Sequence, residues 1–154
     1  LPAVVVGQLL RERGYKLAVL ESCTGGMLGG AITDIEGSSD YFVGGAITYS
    51  PGLKVQAGVP AATIDDFGVV SEETAIAMAK AARRTYGTEC GIGVTGVAGP
   101  DDQGNIKAGT VFIGVAHPGG ASVTEHRFPS RRPLVRNRAV TAALLQLASA
   151  LRSH

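Results

Sequence analysis

The chain is poor in the residues that mark several protein classes. It has no tryptophan and only two cysteines, Cys23 and Cys90. Two cysteines make no disulfide framework and cannot fill a four-ligand zinc site. The three histidines, His117, His126 and His154, share no helical i,i+4 spacing, so a paired-histidine helix motif for metal is absent. An excess of one charge is missing too, because 14 basic residues face 13 acidic ones for a net +1. That balance excludes a nucleic-acid binder working by counterion release. No run reaches the roughly 18 apolar residues of a membrane span, and no basic segment precedes a cleavable apolar one. The expectation is a soluble, cytoplasmic protein without nucleic-acid or membrane partners. The chain begins at Leu1 rather than Met, as a trimmed polypeptide or a piece of a longer one would.

Glycine is in surplus. The 22 glycines in 154 residues are about twice the usual share of about 7%. No G-X-Y period accompanies them, so they belong in turns and close backbone approaches rather than in collagen. Apolar residues at 45% and charged residues at 18% are ordinary for a globular protein, and the length suits one core without staples. Hydrophobic spacing predicts a helix over 2–13 ending at Gly14, then a buried strand over 16–20. The stretch MLGGAITDI is helix-compatible and stops near Gly37. A second strand is expected over 42–49, a short helix over 60–67, and a longer helix behind the N-cap serine Ser71. A third strand over 89–95, a polar loop over 101–107, a hairpin of 109–116 with 121–128, and a helix over 133–151 complete the chain. The expected architecture is α/β, a single domain over 1–154 with a mixed sheet sandwiched between helices.

Chemistry concentrates where strands run into glycines. Glu21-Ser22-Cys23-Thr24-Gly25-Gly26 follows the first strand and opens a helix, where backbone N–H groups collect an anion or an oxyanion. The carboxyl ends of strands are where α/β sheets place their ligands. By spacing alone, Ser22 is a nucleophile or an ordinary capping serine, and Cys23 an alternative nucleophile or small filler. Ser22 lacks the G-x-S-x-G setting of a hydrolase elbow. A serine nucleophile needs a base, and Lys54, five residues after Tyr49, serves if burial lowers its pKa; otherwise it is a solvated lysine. Thr95-Gly96-Val97-Ala98-Gly99-Pro100 repeats the strand-to-glycine pattern, with Thr95 placed to hydrogen-bond substrate or serine, or simply part of a plain loop. Arg127, Arg131, Arg132, Arg136 and Arg138 cluster near one small anion. Arg132 or Arg136 would clamp a phosphate, with Arg131 and Arg138 on a solvated face. No step requires a metal or a cofactor.

The segments LAVLESCTGGMLGGAITDIEGSSDYFVGGAITYS, GVVSEETAIAMAKAAR and VTGVAGP followed by GTVFIGVA resemble the CinA carboxy-terminal domain family, from roughly Leu9 to Leu147. The resemblance implies a nicotinamide-nucleotide amidase, which hydrolyses nicotinamide mononucleotide to nicotinate mononucleotide and ammonia. The family occurs as a stand-alone enzyme and as the last domain of a longer competence/damage-inducible protein. It implies Ser22 as nucleophile and Lys54 as base, supported by Tyr49 and Thr95. Cys23, Thr24, Gly25, Gly26, Gly96, Ala98, Gly99 and Arg132 would hold the substrate. A homo-oligomer is the expected assembly. The chain departs from the family at Pro51-Gly52-Leu53 before the lysine, at Ile106-Lys107-Ala108, and at Ser130-Arg131 before the arginine. Two further readings stand beside the amidase. One is a catalytically silent nucleotide- or partner-binding domain, the other a cysteine-dependent amidohydrolase using Cys23.

Overall fold

Three parallel strands and one antiparallel pair build the sheet of the computed structural model, which describes residues 1–154. Strands β1 (Leu17–Glu21), β2 (Phe42–Ile47) and β3 (Cys90–Gly96) are parallel. Strands β4 (Thr110–His117) and β5 (Gly120–Arg127) follow as a hairpin, giving the order β2-β1-β3-β4-β5. The inner strands β1 and β4 are buried throughout, which fits their apolar runs LAVL and VFIGVA, with the polar Glu21, Thr110 and His117 at their ends. Edge strand β5 is largely exposed and reads as mixed polar.

Helices cover both faces, as the sequence implies. Helices α1 (Pro2–Arg13), α2 (Met27–Thr33) and α6 (Arg132–Ser153) pack with Leu17, Val19, Ile92 and Ile113 in the main core. The opposite face carries α5 (Glu72–Tyr86), with Met78, Ala81 and Ala82 against Ala18 and Leu20. Helix α5 starts where expected, with Ser71 accepting the Thr74 N–H at 3.1 Å, and it ends at the left-handed Gly87. It lies very close to the sheet: a Cβ on Gly93 would come within 2.5 Å of the Ala75 carbonyl. None of the helices is long and apolar enough to cross a membrane.

The structure departs from the sequence reading around β2. The strand stops at Ile47 rather than Tyr49, and Pro51–Gln56 forms a six-residue helix, α3, followed by α4 (Ala61–Phe67). Pro51 sits at the helix start, where its missing N–H costs nothing, and the Ser50 hydroxyl accepts the Leu53 N–H at 3.2 Å. Pro51-Gly52-Leu53, the first of the three places where the chain departs from the family pattern, is thus the first turn of a helix. A 3₁₀ turn at Ser38–Asp40 and a Gln103–Ile106 bridge in the polar loop are the other additions, and α6 starts one residue early at Arg132. The carboxyl ends of all three parallel strands lie on one side of the sheet, and there the chain turns into α2, α3 and the 96–100 loop.

Candidate active site

Ser22 leaves β1 with its N–H still tied to the Val94 carbonyl of β3 at 3.0 Å, so its side chain starts from a fixed backbone. The turn behind it is closed from two sides. The Glu21 carboxylate accepts the N–H groups of Gly26 (3.1 Å), Leu28 (2.9 Å) and Gly29 (2.9 Å). The anion at the start of α2 is therefore the protein's own, which corrects the expectation that this helix start collects an external one. The Arg136 guanidinium reaches over from α6, with Nε donating to the Cys23 carbonyl at 3.0 Å and Nη2 to the Thr24 carbonyl at 3.1 Å. Gly25 donates its N–H to the Ser22 carbonyl at 3.0 Å, and Gly26 donates to Glu21. Those two N–H groups are spent, whereas those of Cys23 and Thr24 donate to no carbonyl or carboxylate.

Lys54 comes from α3 and is the most informative side chain of the site. It is 0% exposed, among the largest buried residues, and its Nζ lies 3.0 Å from Ser22 Oγ. The same Nζ donates to the carbonyls of Thr48 at 2.6 Å and Tyr49 at 3.4 Å. Burial lowers its pKa from the usual 10.5 to about 8. The two carbonyls can only accept, so a neutral amine keeps two N–H bonds to them and turns its lone pair to the Ser22 hydroxyl. Ser22 is thereby the one partner able to give Lys54 a proton.

Ser22 borders a cleft of about 450 Å³, with Lys54 buried beneath it. Val69, Val70 and Val97 make its apolar wall; Cys23, Tyr49, Thr95, Gly96, Ala98 and Gly99 line it, with Arg132 and Asp102 among its charged groups. Arg132 donates to the Gly99 carbonyl at 2.5 Å and to the Tyr49 hydroxyl at 3.2 Å, joining the ends of β2 and β3. Asp102 accepts the Ala108 N–H at 2.8 Å, and that bond holds its carboxyl below the usual carboxylate range. The Thr95 hydroxyl donates to the Val69 carbonyl at 2.9 Å, so its lone pairs but not its proton remain for other partners.

Most of the residues singled out in the sequence meet here. Ser22, Cys23, Tyr49, Thr95, Gly96, Ala98, Gly99 and Arg132 line one cleft with Lys54 beneath it, while Thr24, Gly25 and Gly26, expected among the substrate contacts, do not line it. The arginine cluster does not share one anion: Arg127 pairs with Glu125, Arg136 grips the turn and only Arg132 faces the cleft. Burial pushes the Cys23 thiol up to about 11, which keeps it protonated and argues against a cysteine nucleophile. The Glu21 carboxylate is the contributor that sequence reasoning missed, and a glutamate ending a strand before a glycine turn is its only local signal; Arg136, expected as a phosphate clamp, grips the turn instead. A larger groove of about 670 Å³ between β5 and α6 holds the three histidines. There the Thr124 hydroxyl lies 3.0 Å from His126 Nε2 and gives its proton to Gln146 Oε1 at 2.7 Å, and the Gln146 amide donates to Ser122 and Ile113, so these polar groups satisfy one another.

Comparison with known proteins gives one consistent result. The CinA C-terminal domain matches residues 2–151. A CinA-like protein of Geobacter sulfurreducens is 43% identical over 141 residues, covering 90% of this chain and 34% of the relative. One from Synechocystis is 50% identical over 133 residues, 84% of this chain and 32% of its own length. The chain thus spans about a third of the length of the curated relatives it matches. Among solved structures, a CinA superfamily protein of Klebsiella pneumoniae superimposes with a TM-score of 0.94 at 28% identity, covering 99% of this chain and 97% of that one. A competence/damage inducible protein of Agrobacterium tumefaciens gives 0.89 at 31%, covering 98% and 95%.

Proposed function

The chain belongs to the CinA C-terminal domain family, and on that premise we propose that it is a nicotinamide-nucleotide amidase, converting nicotinamide mononucleotide and water to nicotinate mononucleotide and ammonia. The observation that carries this reading is the buried Lys54 amine 3.0 Å from Ser22 Oγ, with its pKa lowered to about 8. A solvated lysine, at about 10.4, is protonated at neutral pH and useless as a base.

Neutral Lys54 takes the Ser22 proton as Oγ bonds to the carboxamide carbon, and the carbonyl electrons move to oxygen. The Cys23 N–H, at the cleft wall, receives that oxyanion. Protonated Lys54 then returns its proton to the leaving nitrogen, the C–N bond breaks and ammonia departs, leaving an acyl ester on Ser22. Water attacks the ester, its proton passing to Lys54 and on to Ser22 Oγ as the carboxylate leaves. The Thr48 and Tyr49 carbonyls hold the amine in place in both protonation states. Charge complements the zwitterionic nucleotide: Arg132 suits the phosphate, and ionised Asp102 suits the pyridinium or the ribose hydroxyls. The apolar wall of Val69, Val70 and Val97 fits the flat ring.

The test is ammonia and nicotinate mononucleotide released from nicotinamide mononucleotide, followed by chromatography. Turnover by the wild type and none by Ser22→Ala supports the reading. Binding without turnover by the wild type would favour the silent binding domain, and full turnover by Ser22→Ala would remove Ser22 from the chemistry.

A further inference from the structure

Arg132 and Arg136 lie one helical turn apart on α6, yet they do different things. Arg132 faces the cleft, whereas Arg136 is not among the cleft's lining residues. Its Nε and Nη2 are both committed to the back of the Ser22 turn. None of the three ion pairs in the molecule involves Arg136, so its charge is uncompensated by any carboxylate. Gly25 lets the guanidinium come this close: a Cβ there would sit 3.0 Å from Nη2, and its φ of +56 suits glycine.

Peptide planarity turns that grip into a statement about the front of the turn. The N–H of each peptide points opposite its carbonyl. The Ser22 carbonyl is taken by the Gly25 N–H, and the Cys23 carbonyl by Arg136 Nε. The Ser22–Cys23 peptide carries the uncommitted Cys23 N–H, at a residue that lines the cleft, and the Gly25 N–H pins it by its oxygen. That Gly25 N–H belongs in turn to the peptide whose Thr24 carbonyl Arg136 Nη2 holds at 3.1 Å, so Arg136 reaches the Cys23 N–H through one intervening peptide, while its Nε fixes the peptide that carries the Thr24 N–H. Glu21 completes the clamp from the α2 side.

We propose that Arg136 is a positioning residue for the Ser22 chemistry, fixing the Cys23 backbone from behind so that its N–H meets the oxyanion, and adding positive charge behind the turn. This rests on the amidase reading for its substrate but not for its nucleophile. A phosphate-clamping role, which the sequence left open for Arg136, is set aside because Arg136 does not line the cleft and its Nε and Nη2 donate to the turn.

The experiment compares wild type with Arg136→Gln and Arg136→Lys, each checked for folding by circular dichroism and thermal melting. Steady-state kinetics on nicotinamide mononucleotide separate kcat from KM. Sulfonylation of Ser22 by phenylmethylsulfonyl fluoride, which displaces fluoride and is followed by intact mass, supplies a readout independent of the substrate. Arg136→Gln should lower kcat about 30- to 100-fold with KM within about twofold, and slow sulfonylation in parallel, less than the roughly 100- to 1,000-fold seen when an oxyanion donor itself is removed, because the Cys23 N–H remains. Arg136→Lys should recover part of both rates, since it keeps the charge and one donor but not the fork. A tenfold rise in KM with kcat intact would make Arg136 a phosphate ligand and overturn the proposal, as would wild-type rates in Arg136→Gln. Loss of the fold in both variants would make it a structural prop and overturn it equally. If the wild type spares nicotinamide mononucleotide yet is sulfonylated at Ser22, the substrate assignment fails while the sulfonylation rates still decide the role of Arg136. A wild type that resists sulfonylation at Ser22 sinks both.

Discussion

The turn that follows β1 spends nearly all of its backbone groups internally, whereas the turn that follows β3 leaves several open. In the first, Glu21, Arg136 and the Gly25–Ser22 bond close the loop around Ser22 and leave only the N–H groups of Cys23 and Thr24 without an acceptor. In the second, the N–H groups of Ala98, Gly99, Asp101 and Asp102 donate to nothing, and the loop is held by Arg132 at the Gly99 carbonyl and by Asp102 at Ala108. Both are strands running into glycines, and sequence alone ranks them equally. On the proposed function the difference suits them to different work: the closed turn would fix the Ser22 hydroxyl within a narrow geometry, as bond-making requires, and the open turn would offer donors and charge to a ligand.

Breaking the closed turn's chemistry should have the largest effect. Ser22→Ala should reduce kcat at least about a thousandfold, as loss of a nucleophile does in comparable hydrolases. The folded state should lose only about 1 kcal/mol, since one hydrogen bond goes, and melting curves beside initial rates check both halves. Lys54→Met should be equally inactive. It should also change the pH dependence of stability, because the folded pKa of Lys54, about 8, lies below the unfolded 10.5. Between those values the unfolded chain binds more protons, so wild-type stability rises with pH across that window and falls as pH drops through about 8. Denaturant melts from pH 6 to 11 should show that rise in wild type and a flatter curve in Lys54→Met, with the variant the more stable at pH 7.

The open turn should respond through binding. Arg132→Ala should raise KM about tenfold, because it removes a charge-assisted bond to the phosphate, with a smaller change in kcat. An effect confined to kcat would move Arg132 to the closed side of the comparison. Asp102→Asn should have the smallest effect. The amide oxygen can still accept the Ala108 N–H while the charge is gone, so a KM change of about two- to threefold isolates the electrostatic part.

Much of this was legible in the residues. The strand, glycine turn and helix around Ser22 announce themselves through local spacing, and so does α5 through Ser71 and its acidic first turn. Lys54 was readable as a candidate base, but not how it is delivered. Pro51-Gly52 looks like a loop, and the six-residue α3 holds together through the Ser50 cap and its tertiary setting rather than through helix propensity. The clamp on the turn was not legible, because Arg136 lies 113 residues from Cys23 and meets it only once α6 packs across the sheet. Glu21 reads as the last residue of a buried strand, and only the fold reveals that its carboxylate caps α2. The arginine cluster misled for the same reason: neighbours in sequence are divided by β5 and α6 among a surface pair, the turn and the cleft.

The pairing of Lys54 with Ser22 is the centre of the account, and kcat/KM for nicotinamide mononucleotide from pH 6 to 10 tests it most directly, in wild type and in Lys54→Arg. The wild-type value should climb with pH through an apparent pKa near 8, where the buried amine loses its proton. Lys54→Arg should be nearly dead throughout, because a guanidinium keeps its proton. A wild-type profile flat across that range, or a Lys54→Arg protein with most of its activity, would contradict the assignment of Lys54 as the base.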